Sequence, residues 1–168
     1  MKKYLVIGNP IEHSLSPKLH NYWMRKNNID AIYEKKKIKE GDLKELILDI
    51  KKEKIHGINV TVPFKKTVIN YLDDLTEVSK KIQSVNTIYK KADKILGHNT
   101  DVGGFEKSFT DIDYEVKNKK IFILGAGGVV SSIIAGLKNL GGSEIILSNR
   151  TKENAKKLKE VYSDLKIL

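Results

Sequence analysis

Residues 121–130 of the chain read IFILGAGGVV, a short apolar run followed at once by three glycines within four positions. This order predicts a buried strand, a tight turn and a helix that starts near Val129. In such a turn the first glycine permits the bend, the second lets a pyrophosphate approach the backbone, and the helix N-terminus attracts the phosphate charge. A purely structural glycine turn is the alternative interpretation. The candidate dinucleotide-binding residues of this stretch are Gly125, Ala126, Gly127, Gly128 and Val129.

The end of the next strand favours one dinucleotide over another. The predicted strand 144–148 is followed by Asn149, Arg150 and Thr151, and no carboxylate lies at its tip. An NAD site usually has Asp or Glu there to hold the ribose 2′-hydroxyl, whereas an arginine suits a 2′-phosphate. An ordinary surface role for Arg150 is the alternative, although a cation near a helix start opposes the helix dipole. The sequence therefore predicts NADP as the cofactor, bound in part by these three residues.

Short apolar runs alternate with amphipathic stretches along the chain, which favours an α/β fold with mostly parallel sheets. The polar stretch 111–120 lies between two such series, so we expect two domains. Residues 1–105 are predicted to form an N-terminal α/β substrate-binding and catalytic domain. Residues 106–168 are predicted to form the N-terminal part of a Rossmann-type NADP-binding domain. The predicted strands are 4–7, 31–38, 55–62, 85–90, 94–97, 121–124, 144–148 and 165–168, and the predicted helices are 17–26, 42–51, 66–72, 77–82, 129–140 and 152–162, with one more beginning at Asp101.

Two serines flank Leu15 immediately before the helix predicted to start at Pro17. In an extended segment, residues two apart point the same way, so the hydroxyls of Ser14 and Ser16 are expected to converge beside a helix N-terminus. Hydroxyl and helix N–H groups together make a small site for a carboxylate. The alternative is that Ser16 only caps the helix.

Polar residues also follow the third predicted strand, and ligands of open α/β sheets bind beyond the carboxyl ends of strands. Asn59 and Thr61 share one face of that strand, and the turn after it is expected to place Lys65 near them. Asn86 and Asp101 add polar groups at later strand ends. An aspartate near the lysine would orient its ammonium for acid/base chemistry. The alternatives are a solvated Lys65 and an Asp101 that only caps the next helix.

Six segments of the chain together resemble one family. The two most specific are NVTVPFK at 59–65 and NTDVGGF at 99–105, and the others are GNPIEHSLSP at 8–17, SVNTI at 84–88, ILGAGGV at 123–129 and SNRT at 148–151. In this order they resemble shikimate dehydrogenases over nearly the whole chain. The resemblance implies an NADP-dependent oxidoreductase that reversibly reduces 3-dehydroshikimate to shikimate in aromatic amino-acid biosynthesis.

The resemblance also implies roles for individual residues. Lys65 becomes the catalytic acid/base that exchanges the hydroxyl proton, with Asp101 orienting lysine and substrate in a cleft between the two domains. Glu77 is expected near the nicotinamide side of the cofactor. The implied substrate contacts are Ser14, Ser16, Thr61, Lys65, Asn86 and Asp101, to which the strand pattern adds Asn59.

Three features depart from the family pattern. Asn154 stands where members often carry a basic residue, and Val130 stands where a small residue is usual. The family continues beyond residue 168, so we expect a fragment of a longer protein. The alternative functions are an NAD-dependent quinate/shikimate dehydrogenase and a non-catalytic shikimate-binding paralogue or fragment.

Composition argues against several other classes. The net charge is +10, yet only two of the 31 basic residues are arginines, whereas nucleic-acid binders usually combine Arg with Lys. We therefore expect small anionic ligands and no nucleic acid. The chain has no cysteine and its histidine spacings match no metal motif, so no metal is expected. The uncharged stretch 121–137 is rich in Gly and Ser, and the start lacks a signal-peptide core, so we expect a cytoplasmic monomer or homodimer without a membrane span.

Overall fold

The computed structural model describes all residues from Met1 to Leu168, and their contacts divide them into two compact units, residues 1–99 and 100–168. The first unit contains β1 (Lys2–Gly8), α1 (Ser16–Lys26), β2 (Ala31–Lys37), α2 (Leu43–Lys51), β3 (Gly57–Val60), β4 (Asp74–Leu75), α3 (Glu77–Ile82), β5 (Thr87–Lys91) and β6 (Lys94–His98). The second unit contains α4 (Asp101–Thr110), β7 (Lys120–Leu124), α5 (Val130–Asn139), β8 (Glu144–Ser148), α6 (Lys152–Val161) and β9 (Lys166–Ile167).

The first unit is built on a six-stranded sheet with the strand order β2-β1-β3-β5-β6-β4. Strand β1 runs parallel to β2 and β3, and β4 runs parallel to β6. Strand β5 is antiparallel to both β3 and β6. Because β1 and β3 are parallel, the residues that follow Gly8 and Val60 leave the sheet at the same edge.

Alternation along β1 separates two apolar clusters in the first unit. Leu5 and Ile7 join the main core on one face, while Val6 packs with Ile11 and Tyr33 on the other. Both faces are covered, which is why β1 reads as a continuous apolar run. Burial of each such side chain contributes roughly 1.5–3 kcal/mol. Helix α2 covers the main core with residues at helical spacing: Leu43, Leu46, Ile47 and Ile50.

The second unit has a three-stranded sheet, β7-β8-β9, in which both pairings are parallel. Helices α4 and α5 pack closely because residue 136 is a glycine, where a Cβ atom would lie 2.8 Å from Cδ1 of Phe105. The strand–helix alternation confirms the predicted α/β class with mostly parallel pairing. Helix α4 runs through residue 105, and the functional division at 105/106 stays a prediction.

Three elements differ from the sequence-based expectation. The strand predicted for 55–62 ends at Val60, because the carbonyl of Thr61 instead closes a turn by accepting the N–H of Phe64 at 3.0 Å. The helix predicted for 66–72 is a short 3-10 helix, Thr67–Tyr71. Strand β4 has only two residues and therefore carries no periodic signal. None of the helices combines the length and apolar character that a membrane crossing requires.

Candidate functional site

Main-chain hydrogen bonds gather three of the predicted site residues at the carboxyl edge of β1 and β3. The N–H of Thr61 donates to the carbonyl of Ile7 at 2.9 Å, so the chain after β3 stays beside the end of β1. The N–H of Val85 donates to the carbonyl of Lys65 at 2.8 Å, and the N–H of Val60 donates to the carbonyl of Asn86 at 2.8 Å. Thr61, Lys65 and Asn86 therefore belong to one cluster within the first unit.

A glycine allows the two loops at this edge to touch. A Cβ atom at Gly8 would lie 2.6 Å from Cγ2 of Thr61, which is closer than real contacts allow. The loop after Gly8 is tied to the loop after β3 by the Asn9 N–H, which donates to the carbonyl of Val62 at 3.0 Å. Both loops contain a cis peptide bond before proline, at Asn9–Pro10 and Val62–Pro63.

The two serines lie at the start of α1, but the helix is not capped as the alternative interpretation expected. Ser16 is the first helical residue, Leu15 occupies the N-cap position, and no side chain caps the helix. Ser14 Oγ instead accepts the N–H of Ser16 at 3.4 Å. Both serines are half-buried while the intervening Leu15 is 75% exposed. The first turn holds no acidic residue, so this end of the helix suits an anion.

Burial distinguishes the candidate lysine from its neighbour. Lys65 is half-buried and Lys66 is exposed, so the solvated-surface alternative describes Lys66 better than Lys65. Asn86 is only 8% exposed. Asp101 is the first residue of α4, in the second unit, with Thr100 at the N-cap position and no side-chain cap. The interpretation of Asp101 as a helix cap is therefore wrong, and its proposed pairing with Lys65 stays a prediction.

The carboxamide of Asn59 is held by other residues of the first unit. Its oxygen accepts the Tyr33 hydroxyl at 2.6 Å, and its nitrogen donates to the Asn86 carbonyl at 3.2 Å and to Thr87 Oγ1 at 3.1 Å. Direct substrate contact by Asn59 stays a prediction. The sequence analysis did not identify Tyr33 and Thr87 as partners of Asn59. For Tyr33 a signal was available, because it is a tyrosine on an alternating strand and a buried phenol needs a hydrogen-bond partner.

In the second unit, hydrogen bonds connect the glycine turn to the end of β8. Gly125 has φ +111°, a conformation that favours glycine, and its N–H donates to the carbonyl of Ser148 at 2.7 Å. The N–H of Ala126 donates to Asn149 Oδ1 at 3.0 Å, and Asn149 Nδ2 donates to the carbonyl of Thr151 at 2.7 Å. Asn149 therefore fixes the turn relative to the residues that follow β8.

The residues around the turn fit a dinucleotide with a 2′-phosphate. A Cβ atom at Gly125 or Gly127 would meet nothing within 4 Å, which leaves space for a ligand against the backbone. The turn leads directly into α5, whose first turn holds no acidic residue, so the positive end of the helix dipole suits an anion. Arg150, the residue that follows Asn149, is exposed. Val130, at the position where the family usually has a small residue, is buried in the unit.

Glu77 is the remaining predicted cofactor residue, and it lies in the first unit. It is the first residue of α3, its side chain is 92% exposed, and it forms an ion pair with Lys80 at 3.2 Å. The carboxylate is thus held on the helix surface. A contact with the nicotinamide side of a cofactor stays a prediction.

These two units define a class: α/β proteins that combine a polar cluster at a strand edge with a Rossmann-type nucleotide unit. Residues 6–88 match the family described as "Shikimate dehydrogenase substrate binding domain", and residues 106–168 match "Shikimate / quinate 5-dehydrogenase". The chain belongs to the shikimate dehydrogenase family, as its motifs predicted.

Three known proteins illustrate the similarity. "Shikimate dehydrogenase (NADP(+))" of Pelagibacter ubique is 55% identical over 167 residues, covering 99% of this chain and 63% of that protein. The crystal structure of shikimate dehydrogenase from Aquifex aeolicus matches with TM-score 0.91 and 40% identity, covering 100% of this chain and 62% of that one. Shikimate 5-dehydrogenase from Thermus thermophilus, in complex with NADP(H) and shikimate, matches with TM-score 0.84 and 28% identity, covering 100% and 63%. The chain spans about three fifths of the length of these relatives.

Proposed function

We propose that the chain carries substrate-binding and cofactor-binding residues of an NADP-dependent shikimate dehydrogenase, which interconverts 3-dehydroshikimate and shikimate. The observation that supports this most directly is the gathering of Thr61, Lys65 and Asn86 at one sheet edge through main-chain hydrogen bonds. The name of the Pelagibacter relative and the ligands of the Thermus structure fit the same activity.

On the substrate side, Ser14 and Ser16 bind the carboxylate of shikimate at the positive end of α1. Thr61, Asn59 and Asn86 serve the ring hydroxyls, since amides and hydroxyls can both donate to and accept from such groups. Lys65 and Asp101 complete the substrate contacts.

On the chemical side, the nicotinamide of NADP, when bound, accepts or returns the hydride. Lys65 takes the proton of the reacting hydroxyl during oxidation and returns it during reduction. Asp101 is proposed to orient the lysine and the substrate. The protein thereby holds the reacting groups in register, which is a large part of what an enzyme contributes to a hydride transfer.

On the cofactor side, the backbone of the glycine turn and the start of α5 are proposed to hold the pyrophosphate, and Arg150 with Asn149 and Thr151 the 2′-phosphate. Glu77 is assigned to the nicotinamide side. The residues proposed for the pyrophosphate are Gly125, Ala126, Gly127, Gly128 and Val129.

In the same proposal, residues 1–105 bind the substrate and residues 106–168 bind the dinucleotide. The partners proposed are small molecules, in a cytoplasmic monomer or homodimer without nucleic-acid or membrane binding. The exposed Arg150 and the absence of a carboxylate among residues 149–151, directly after β8, favour NADP over the NAD-dependent quinate/shikimate alternative.

The test is a cofactor-reduction assay on the chain, with shikimate or quinate as substrate and NADP⁺ or NAD⁺ as oxidant. The expected result is reduced-cofactor absorbance that is strongest with shikimate and NADP⁺. Calorimetric binding of shikimate without any cofactor reduction would support the non-catalytic paralogue or fragment instead. Faster reduction with quinate and NAD⁺ would support the other dehydrogenase.

A further inference from the structure

Helix α1 faces the sheet of the first unit with a polar side chain at the centre of its contact stripe. No residue of α1 is fully buried, and the half-buried ones lie along one side: Ser16, Pro17, His20, Asn21 and Met24. The Asn21 carboxamide accepts the Tyr33 N–H at 2.9 Å and donates to the Tyr33 carbonyl at 2.8 Å. Because both bonds go to the main chain of one residue, they form in one orientation of the carboxamide and at one position along β2.

The place of β2 in the sheet explains why these main-chain groups accept a side-chain partner. Strand β2 is at the edge of the sheet and has only β1 as a neighbour. An edge strand leaves one row of N–H and C=O groups without a strand to pair with. A carboxamide carries a donor and an acceptor, as a peptide group does. At Tyr33, Asn21 therefore takes the place of a neighbouring strand.

The other contacts of α1 with Tyr33 are less directional. The ring of His20 stacks on that of Tyr33, with centroids 4.3 Å apart and planes 9° apart. Met24 packs against the apolar cluster that Tyr33 forms with Val6 and Ile11. Apolar and stacking contacts tolerate sliding, whereas a hydrogen bond weakens steeply when its geometry changes. The two bonds of Asn21 therefore set the position of α1 along β2.

The two candidate carboxylate-binding serines lie between this attachment and a weaker one. On the N-terminal side, the Glu12 carboxylate pairs with Lys37 at 3.1 Å, and both side chains are exposed, so this pair holds the loop weakly. On the C-terminal side, Asn21 follows Ser16 by five residues, which is about 7.5 Å along a helix axis. Ser14 is linked to Ser16 by its Oγ, which accepts the Ser16 N–H at 3.4 Å. A shift of α1 at Asn21 therefore carries both serines with it.

We propose that Asn21 is a positioning residue for the substrate carboxylate, which it serves by fixing α1, and with it Ser14 and Ser16, on the edge of β2. The inference rests on the proposed function for the identity of the ligand. The attachment of α1 through Asn21 does not depend on it. Since the serines serve the carboxylate, loss of this attachment affects a ligand with a carboxylate more than the same ligand without one.

The structural test needs no ligand. The main-chain N–H signals of Ser14 and Ser16 are observed by ¹⁵N-resolved NMR in the full chain. Asn21→Ala removes both bonds to Tyr33 and is expected to move or broaden the two serine signals. Asn21→Asp keeps the size of the side chain but places a second oxygen against the Tyr33 carbonyl, so it is expected to act in the same direction. Asn27→Ala is the matched control, because the Asn27 carboxamide bonds only within α1, to the Trp23 carbonyl at 2.8 Å.

The ligand test compares shikimate with its methyl ester, which lacks the carboxylate charge, by calorimetric titration of the same variants. With two hydrogen bonds lost, α1 is less often in the binding position, so Asn21→Ala is expected to weaken shikimate binding about tenfold and ester binding by less than about twofold. Asn27→Ala is expected to leave both affinities unchanged.

Hydrogen exchange tests the same coupling in the unaltered chain. A ligand that binds better when α1 is attached must in turn stabilise the attachment. Shikimate is therefore expected to slow exchange of the Tyr33 N–H, and the ester to slow it less at equal occupancy. This measurement decides the question if neither Asn21 variant folds.

Three results would overturn the proposal: unchanged Ser14 and Ser16 signals in both Asn21 variants, equal losses of shikimate and ester affinity, or Tyr33 exchange that shikimate does not slow. If the original chain binds no shikimate while the serine signals respond to Asn21→Ala and not to Asn27→Ala, the proposed function fails. The positioning of Ser14 and Ser16 by Asn21 then stands.

Discussion

At the scale of single residues, burial separates groups that look equivalent in the sequence. Lys65 and Lys66 are adjacent and chemically identical, yet the first is half-buried at the candidate site and the second is exposed. The sequence pattern marked Lys65 only by its position after the third strand. The three-dimensional fold adds the reason, because the main-chain bond from Val85 holds Lys65 beside the segment that leads to Asn86.

Lys65→Ala is expected to lower the rate of shikimate oxidation by roughly 10²–10⁴-fold, because it removes the acid/base. Shikimate binding measured by calorimetry is expected to persist, since other groups hold the substrate. Lys66→Ala is the matched control and should keep its rate. An unchanged rate in Lys65→Ala would refute the catalytic assignment.

Arg150→Ala is expected to weaken NADP⁺ binding by about tenfold or more and to leave NAD⁺ binding nearly unchanged, because only the 2′-phosphate needs the guanidinium. The measurement is titration of both cofactors into the chain. The other arginine of the chain, Arg25 on α1, provides the control as Arg25→Ala. Equal losses for both cofactors would contradict a role in 2′-phosphate recognition.

Glu12, in the loop after β1, makes stability depend on pH. Hydrogen bonds from main-chain N–H groups and from Lys37 lower the pKa of its carboxyl group to about 2. The folded pKa lies below the unfolded value, so the carboxylate stabilises the fold above about pH 4.5 and this contribution is lost as the pH falls toward 2. Glu12→Gln is expected to lower the melting temperature at pH 7, with the difference from the original chain shrinking toward pH 2. A difference of the same size at both pH values would contradict this.

At the scale of elements, one glycine in α4 and one in α5 have opposite surroundings, the first open and the second tightly packed. Gly104 in α4 is exposed, and a Cβ atom there would meet nothing within 4 Å. Gly136 in α5 lies against Phe105, 2.8 Å from where its Cβ atom would be. The close packing of α4 on α5 therefore depends on one glycine and not on the other.

Gly104→Ala is expected to stabilise the chain by up to about 1 kcal/mol, because alanine has the higher helix propensity. Gly136→Ala gains the same propensity but overpacks the helix contact, which typically costs about 1–3 kcal/mol, so a net loss of stability is expected. Urea unfolding of the two variants beside the original chain measures both free energies of unfolding. Stabilisation by Gly136→Ala would show that the helices can shift apart at little cost.

At the scale of the whole molecule, the charge of +10 is expected to act on anionic ligands through its general field. Raising the salt concentration screens this field, so NADP⁺, which carries several phosphate charges, is expected to lose more affinity than shikimate, which carries one carboxylate. Titrations of each ligand at low and high salt check this. An equal salt dependence for both ligands would show that the field contributes little.

Local sequence was enough to predict the strand–helix alternation and the glycine turn, because the first is encoded in short-range periodicity and the second in residues with unusual backbone freedom. Local patterns did not reveal the antiparallel insertion of β5 between β3 and β6, nor the partners of Asn59. Tyr33 and Asn59 lie 26 positions apart, and Asn59 and Thr87 lie 28 apart. Which of their atoms donates is decided only when the sheet brings three strands together, because a hydrogen bond depends on the neighbour across the sheet and no local repeat records that neighbour.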